Sequence, residues 1–405
     1  MLTVKMAWRN IFRQKRRTIL TVLTMIGGFG LSALSIGWAD GTYNRIINVF
    51  TRQALGHIQI HKGDYLDRPS IYTRIEDYPR IDKAIAPISG IEAWSPRLYA
   101  AGLASVDDKS AGVRIVGVDP VRETEATRFD KKIIKGRSLS REAAHEVIPA
   151  KNLARTLKAD VGDELVIISQ GADGSIANDL YTVVGILESG DAATDQVSLF
   201  MHLHEAQELL VLGDDIHEVV IIVDKLSKVL PIADEIRQAL DDPSLQVAPW
   251  QEFARSFYVA MKADKQGAWI MLFIIILIVA IGVLNTVLMT VLERRREYGV
   301  LRAVGTSPLQ IFSLVLYEAA LMAGIGIILG FCLSLPVNYW FSIHGLAMPQ
   351  TFTYGGMEFS RYYSEINAHS FYIPAVTVVL SAVLISIFPA VKAARVPPAR
   401  ALRMH

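Results

Sequence analysis

Residues able to do chemistry are present in this sequence, but their spacing argues against most of it. His57 and His61 stand four apart in a segment that alternates as a strand, which sets them on one face ~13 Å apart at ~3.3 Å per residue, too far to share a metal ion directly. His202 and His204 point apart on an expected helix. No HExxH, GxSxG or GxxxxGK[ST] run occurs, so the zinc-protease, serine-hydrolase and phosphate-cradling constellations are all missing. Asp191 and Asp195 read as solvated loop acids, so no catalytic, cofactor-binding or metal-ligating residue is assigned. Glu318 stands apart. It falls inside an apolar run, where a carboxylate is expensive and faces protein or water. No further acid or histidine in the runs offers a proton relay, so a hydrogen bond to a neighbouring helix, or a place near the cytoplasmic interface, is the expected role.

The elements that position these residues are set by hydropathy. The chain has 405 residues, 51% of them hydrophobic, and a mean hydropathy of +0.31, too apolar for one ordinary soluble domain. A net charge of +1 argues against a nucleic-acid partner, because the basic residues gather beside apolar runs. The single cysteine, Cys332, excludes a disulfide framework within the chain.

A membrane span needs ~20 apolar residues. Four such runs give the fold class expected here, a membrane α-helical protein of four transmembrane helices with a large inserted extracytoplasmic α+β domain. Residues 1–17 carry Lys5, Arg9, Arg13, Lys15, Arg16 and Arg17 around Trp8, Ile11 and Phe12, a basic amphipathic helix at a membrane surface. The first span is 18–39, longer than the ~7–15 residues of a signal-peptide core and so read as uncleaved. Gly28 and Ser32, then Ala33, Gly37 and Gly41, fall at four-residue spacing that lets helices approach closely. Residues 40–265 form the α+β domain. Strands are expected at 57–61, 97–106, 113–118, 164–169, 180–187 and 218–223, and helices at 81–88, 202–212, 225–240 and from Pro249 toward the membrane. The second span is 266–292, the third 311–335 and the fourth 370–391, with a polar loop at 336–369 and a basic tail at 392–405. Lys and Arg concentrate at the N-terminus, in the 293–302 loop and in the tail, including Arg400 and Arg403. The positive-inside rule makes that side cytoplasmic, with both termini there and the α+β domain outside.

The loop at 293–310 is itself helix-like. Tyr298, Leu301 and Val304 recur at spacings of three, Glu293 and Glu297 interleave with Arg294, Arg295 and Arg296, and Gly305-Thr306-Ser307-Pro308 supplies the stop. The run VLERRREYGVLRAVGTSPLQIFSLVLYEAAL resembles the segment after the second span of FtsX-like, MacB/LolC/LolE-type ABC transporter permeases. MAWRNIFRQKRRTILTVLTMIGG resembles the family's N-terminal signature, and the closing proline followed by Ala-Leu-Arg resembles its ending, with Pro397 where an acid is common. Residues 151–162 and LYTVVGILESGDAATD resemble the family's periplasmic core domain less specifically, and GHIQIHKGDY looks more like the lipoprotein-releasing members.

The resemblance implies a permease subunit working by mechanotransmission. Its coupling helix would dock on a cytoplasmic ABC ATPase dimer, with ATP and Mg held by that separate ATPase chain and no cofactor on this one. Tyr298, Leu301 and Val304 would be the anchor; Glu293, Arg294, Arg295, Glu297 and Arg302 the polar rim; Gly305 the stop. The resemblance further implies a second permease copy or paralogue, lipoprotein or lipid cargo taken from the outer leaflet of the bacterial inner membrane, and a periplasmic chaperone or adaptor. MacB-like efflux of periplasmic substrates and FtsX-like regulation of a cell-wall hydrolase share every motif. A membrane-anchored enzyme lacks its catalytic cluster.

Overall fold

The computed structural model describes residues 2–13, 15–354 and 357–397, so Arg400, Arg403 and the closing Pro-Ala-Leu-Arg run lie outside the described residues. The chain divides into two units. One comprises residues 1–43, 261–349 and 361–405, the other 44–260 and 350–360.

Among the described residues the membrane unit has four helices long and apolar enough to cross a bilayer: Lys15–Phe50, Arg255–Glu293, Pro308–His344 and His369–Ala394. Two shorter helices accompany them, the N-terminal helix Leu2–Arg13 and the short helix Arg295–Ala303. Between lipid-facing helices the hydrophobic effect gives little net drive, so close approach and polar contacts decide the packing. Gly28 is one such point: a Cβ there would sit 2.2 Å from Val279 Cγ2, so the first and second span helices touch at a residue that has no side chain. Ser32 is buried one turn on. A Cβ at Gly37 would lie 2.6 Å from Asn338 Oδ1 and 2.7 Å from Ser364 Oγ, and the Gly37 carbonyl accepts from the Glu365 N–H at 2.9 Å. At the same end His369 Nε2 meets Asp40 Oδ2, and Lys265 Nζ lies 3.6 Å from Asp40 Oδ1, joining three of the long helices.

The third of these helices extends beyond the apolar run 311–335 at both ends. The helix runs past Leu335 through Pro336 to His344, and a hairpin of Leu346–Tyr354 and Met357–Tyr362 follows within the stretch 336–369 that the sequence reads as a polar loop. Proline removes the N–H that would bond the carbonyl four residues back, here that of Cys332, yet the helix continues. Two residues on, Asn338 Nδ2 donates to the Ser334 carbonyl at 3.2 Å.

In the α/β unit the strands are β1 (Ile58–Lys62), β2 (Ile91–Val106), β3 (Lys109–Val118), β4 (Ile133–Gly136), β5 (Glu146–Pro149), β6 (Glu164–Gln170), β7 (Ile176–Val183), β8 (Gly185–Leu187), β9 (Ser198–His202), β10 (Glu218–Val223) and β11 (Leu245–Pro249). The main sheet runs β11-β1-β10-β2-β3-β9-β5-β7-β6, and β6 also pairs with β2. That second pairing closes six strands into a ring. The 16-residue β2 makes it possible: residues 91–97 pair with β10 in the open part of the sheet, and 102–105 pair with β6 in the ring. Leu98, Ile115, Val147, Leu165, Ile167, Tyr181 and Met201 fill the ring's core.

Where β2 passes between the two parts, charge is buried. Arg97 Nη2 donates to Glu123 Oε1 at 2.6 Å, and Glu218 accepts from Tyr99 Oη at 2.9 Å and lies 3.0 Å from His61 Nε2. Burial pushes the Glu123 carboxyl up, but the Arg97 guanidinium outweighs it and holds it down at about 2. Nearby, burial lowers His57 to about 4, and its Nδ1 accepts from the Val223 N–H at 3.0 Å. Both groups have a folded-state pKa below the unfolded one, so both give stability that is present above the unfolded value and lost on acidification. For His57 the window runs from the ordinary histidine value of 6.5 down to about 4, worth roughly 3 kcal/mol. Thermal unfolding of the α/β unit within the solubilised chain should therefore weaken as pH falls from 7 to 4. His57→Asn, which keeps an acceptor for Val223, should flatten that fall; an unchanged slope would remove His57 as its source.

Candidate functional site around the short helix between the second and third spans

The second span helix ends at Glu293, and the chain turns at once into Arg295–Ala303. The turn after this helix is set by local chemistry. Gly305 takes φ +102°, a left-handed conformation that favours glycine, and the Thr306 N–H donates to the Leu301 carbonyl at 3.0 Å. Ser307 Oγ accepts from the Gln310 N–H at 3.3 Å while Gln310 Oε1 accepts from the Ser307 N–H at 2.9 Å, a capping box with Pro308 at the first helical position. Gly305 stops one helix; Ser307 starts the next.

A cluster of charge holds this hairpin of helices in place. Arg294 Nη1 donates to Glu318 Oε1 at 3.1 Å and Oε2 at 3.3 Å, and Arg294 Nε donates to Glu297 Oε2 at 2.9 Å. The N-terminal helix joins from the other side. Asn10 Nδ2 donates to Glu318 Oε1 at 2.6 Å and Arg13 Nη2 lies 3.1 Å from Glu297 Oε1, while Arg17 Nη2, at the start of the first span helix, pairs with Glu293. Glu318 and Arg294 are each 8% exposed, so the pair is buried and its loss on one side would leave a bare charge. A cavity of about 30 Å³ lined by Asn10, Arg17, Thr21, Thr290, Arg294 and Glu318 adjoins them, enough room for about one water. Arg17 Nη1 is buried without a partner among the described residues.

The expected anchor and rim residues are divided by this arrangement. Tyr298 is 0% exposed, packed in the core of the membrane unit with Val291, Ile311 and Ala390, its ring 5.5 Å from the Arg294 guanidinium carbon. It is therefore an internal anchor and not one for a partner. Leu301 is half-buried against the same core, whereas Val304 is 83% exposed and Leu309, beyond the turn, 77%. Arg294 is likewise internal, Glu297 pairs with Arg13 of the N-terminal helix and Glu293 with Arg17 of the first span helix, and Arg295 and Arg302 are half-buried. The first turns of the third long helix, from Pro308 to about Glu318, form the second arm of the hairpin.

Asn10, Arg13 and Arg17 were not singled out as site residues. Asn10 and Arg13, three residues apart, share a face of the N-terminal helix, and Arg17 stands in the first turn of the first span helix; the acids Glu293, Glu297 and Glu318 in a basic zone are the signal that such partners exist.

With this geometry in hand the chain can be compared with known proteins. It matches the model of the MacB-like periplasmic core domain over residues 18–239 and that of the FtsX-like permease C-terminal over residues 269–398. The chain belongs to the FtsX-like, MacB/LolC-type ABC transporter permeases. A lipoprotein-releasing system transmembrane protein LolC of Neisseria meningitidis is 22% identical over 98% of both chains. A macrolide export ATP-binding/permease protein MacB of Campylobacter jejuni is 24% identical over 98% of this chain and 60% of its own. The periplasmic region of MacB from Actinobacillus actinomycetemcomitans aligns with 52% of this chain at 13% identity and a TM-score of 0.36. With four membrane-length helices, this permease is a bacterial inner-membrane protein.

Removing one partner of the buried pair should damage the permease far more than removing a rim charge. Glu318→Ala is expected to lower the stability of the solubilised chain by about 3 kcal/mol and Glu297→Gln by less than about 1 kcal/mol. Thermal unfolding read by tryptophan fluorescence checks the ordering, and equal effects would show that the Arg294–Glu318 pair is not the stronger tie.

Proposed function

We propose that the permease is the membrane subunit of an ATP-driven machine that works by mechanotransmission, with an ATPase dimer docking on the hairpin formed by the short helix and the start of the third span helix. The observation that carries this reading is the division of the hairpin's apolar residues. Tyr298 and Ile311 face inward, while Val300, Val304 and Leu309 remain exposed at the tip of a segment braced by Arg294 and Glu318. Exposed large apolar residues grouped on a braced tip mark an interaction surface. Arg296 and Ala303, also exposed, flank it. ATP and Mg would be held by the partner, and closure of its dimer would drive two such hairpins together, one from this chain and one from a second copy or paralogue. Both termini and the hairpin would then be cytoplasmic.

For cargo, we favour lipoprotein or lipid drawn from the outer leaflet, because a lipoprotein-releasing relative matches across both chains' full span. Efflux of periplasmic substrates is the second reading, supported by the MacB relative. Mass spectrometry of the gently solubilised complex separates them: a co-purifying lipoprotein or lipid supports the first, a periplasmic adaptor the second.

Docking is tested on the exposed residues and not on Leu301, whose side chain also serves the internal core. Val304→Asp and Leu309→Asp should leave the chain folded and membrane-inserted while lowering recovery of the ATPase subunit at least tenfold in co-purification. Undiminished recovery by the double variant would sink the assignment.

A further inference from the structure

The N-terminal helix Leu2–Arg13 is apolar on two sides, and only one of them is covered. Ala7 and Ile11 are buried against the membrane unit's core and Met6 packs beside them. On the other side Val4, Trp8 and Phe12, at four-residue spacing, are 42%, 48% and 55% exposed, with the Trp8 and Phe12 rings edge to face at 5.3 Å. This open row leads into Ile19, Leu20 and Leu23 of the first span helix, which are also exposed on a helix apolar enough to cross a bilayer. Around it stand Lys5, Arg9, Lys15 and Arg16, exposed and in no ion pair among the described residues, and no acid precedes Asp40 in the chain. Val4, Lys5 and Trp8 also line, with Leu321 of the third span helix, an open and largely apolar groove of about 460 Å³.

We infer that this face binds an anionic glycerophospholipid of the adjoining leaflet, with an acyl chain in the groove against Trp8 and Leu321 and the phosphate near Lys5 and Arg9. Three features select that occupant over a protein or a free anion. The row is continuous with a lipid-covered surface, the groove is too apolar for an inorganic ion, and a tryptophan beside basic residues is the composition found where a helix meets headgroups. The inference rests on the membrane placement of the long helices and not on docking of an ATPase, so its failure would leave that proposal standing. Because Asn10 and Arg13 on the same helix bond Glu318 and Glu297, an occupied lipid site would also brace the short helix.

The test is quenching of Trp8 fluorescence by brominated lipid in the full chain reconstituted into nanodiscs, taking the Trp8→Phe variant as the blank for the other tryptophans. Dibrominated phosphatidylglycerol is expected to reach half-quenching at a lower mole fraction than dibrominated phosphatidylcholine. That preference should shrink roughly fivefold for each basic residue removed in Lys5→Gln and Arg9→Gln. Both sites are exposed, so these variants should fold as the parent does. Equal quenching by the two lipids, or none by either, would overturn the proposal. Loss of the preference on adding millimolar inorganic phosphate would assign the site to a free anion and overturn it equally; persistence of the preference supports the lipid.

Discussion

The membrane unit depends on one carboxylate that has to be answered. Glu318 lies on an apolar helix at 8% exposure, and a bare carboxylate there would be intolerable in hydrocarbon. Arg294 answers it from the end of the preceding span and Asn10 from the N-terminal helix. Three segments distant in sequence must therefore meet at one level. Buried ion pairs are poor sources of net stability but strong constraints on geometry, because a misplaced partner leaves an unpaired charge. Everything between Arg294 and Glu318 is thereby fixed as a tight helical hairpin, with Tyr298 and Ile311 sealing its inner side.

That constraint explains why a segment of so few residues is a rigid helix and not a loop. An isolated helix of nine residues is marginal in water. Here Arg294 and Tyr298 tie down its start, and the Gly305 turn with the Ser307 cap fixes its end. It is braced on one side and leaves Val300 and Val304 exposed on the other.

Much of this was legible in the chain's order of residues. Four long apolar runs announce four helices because the length needed to cross a bilayer is a physical minimum, and Gly305, Ser307 and Pro308 announce a stop and a start because each fills a backbone role few other residues fill. The stripe of Tyr298, Leu301 and Val304 misled for a simple reason. Steps of three residues rotate about 60° away from one helical face each time, so three such residues spread over about 120°. Tyr298 is consequently inside and Val304 outside. The ring in the α/β unit was not legible at all, since the β2–β6 pairing joins residues about sixty apart and no local pattern encodes it.

How a push on the hairpin would travel follows from the third long helix. Pro308–His344 is a single helix of 37 residues, about 55 Å at 1.5 Å per residue. Leu309 is exposed at one end of it and Asn338 is buried near the other, where Asn338 Oδ1 accepts from Ser364 Oγ at 2.6 Å beside Gly37. A hydrogen-bonded helix resists compression along its axis, so displacement at Leu309 has to emerge at Asn338 or be absorbed at a weak point between them. The first span helix leaves little slack on the way: Cβ positions at Gly326 and Gly330 would lie 2.6 Å from Met25 Cβ and 2.9 Å from Phe29 Cδ1. Pro336 is the proline inside this helix, where a backbone hydrogen bond of the interior is missing by necessity, and it stands two residues before Asn338. The weak point therefore lies just short of the polar contacts with the 363–365 segment, which is where an axial push would turn into a tilt.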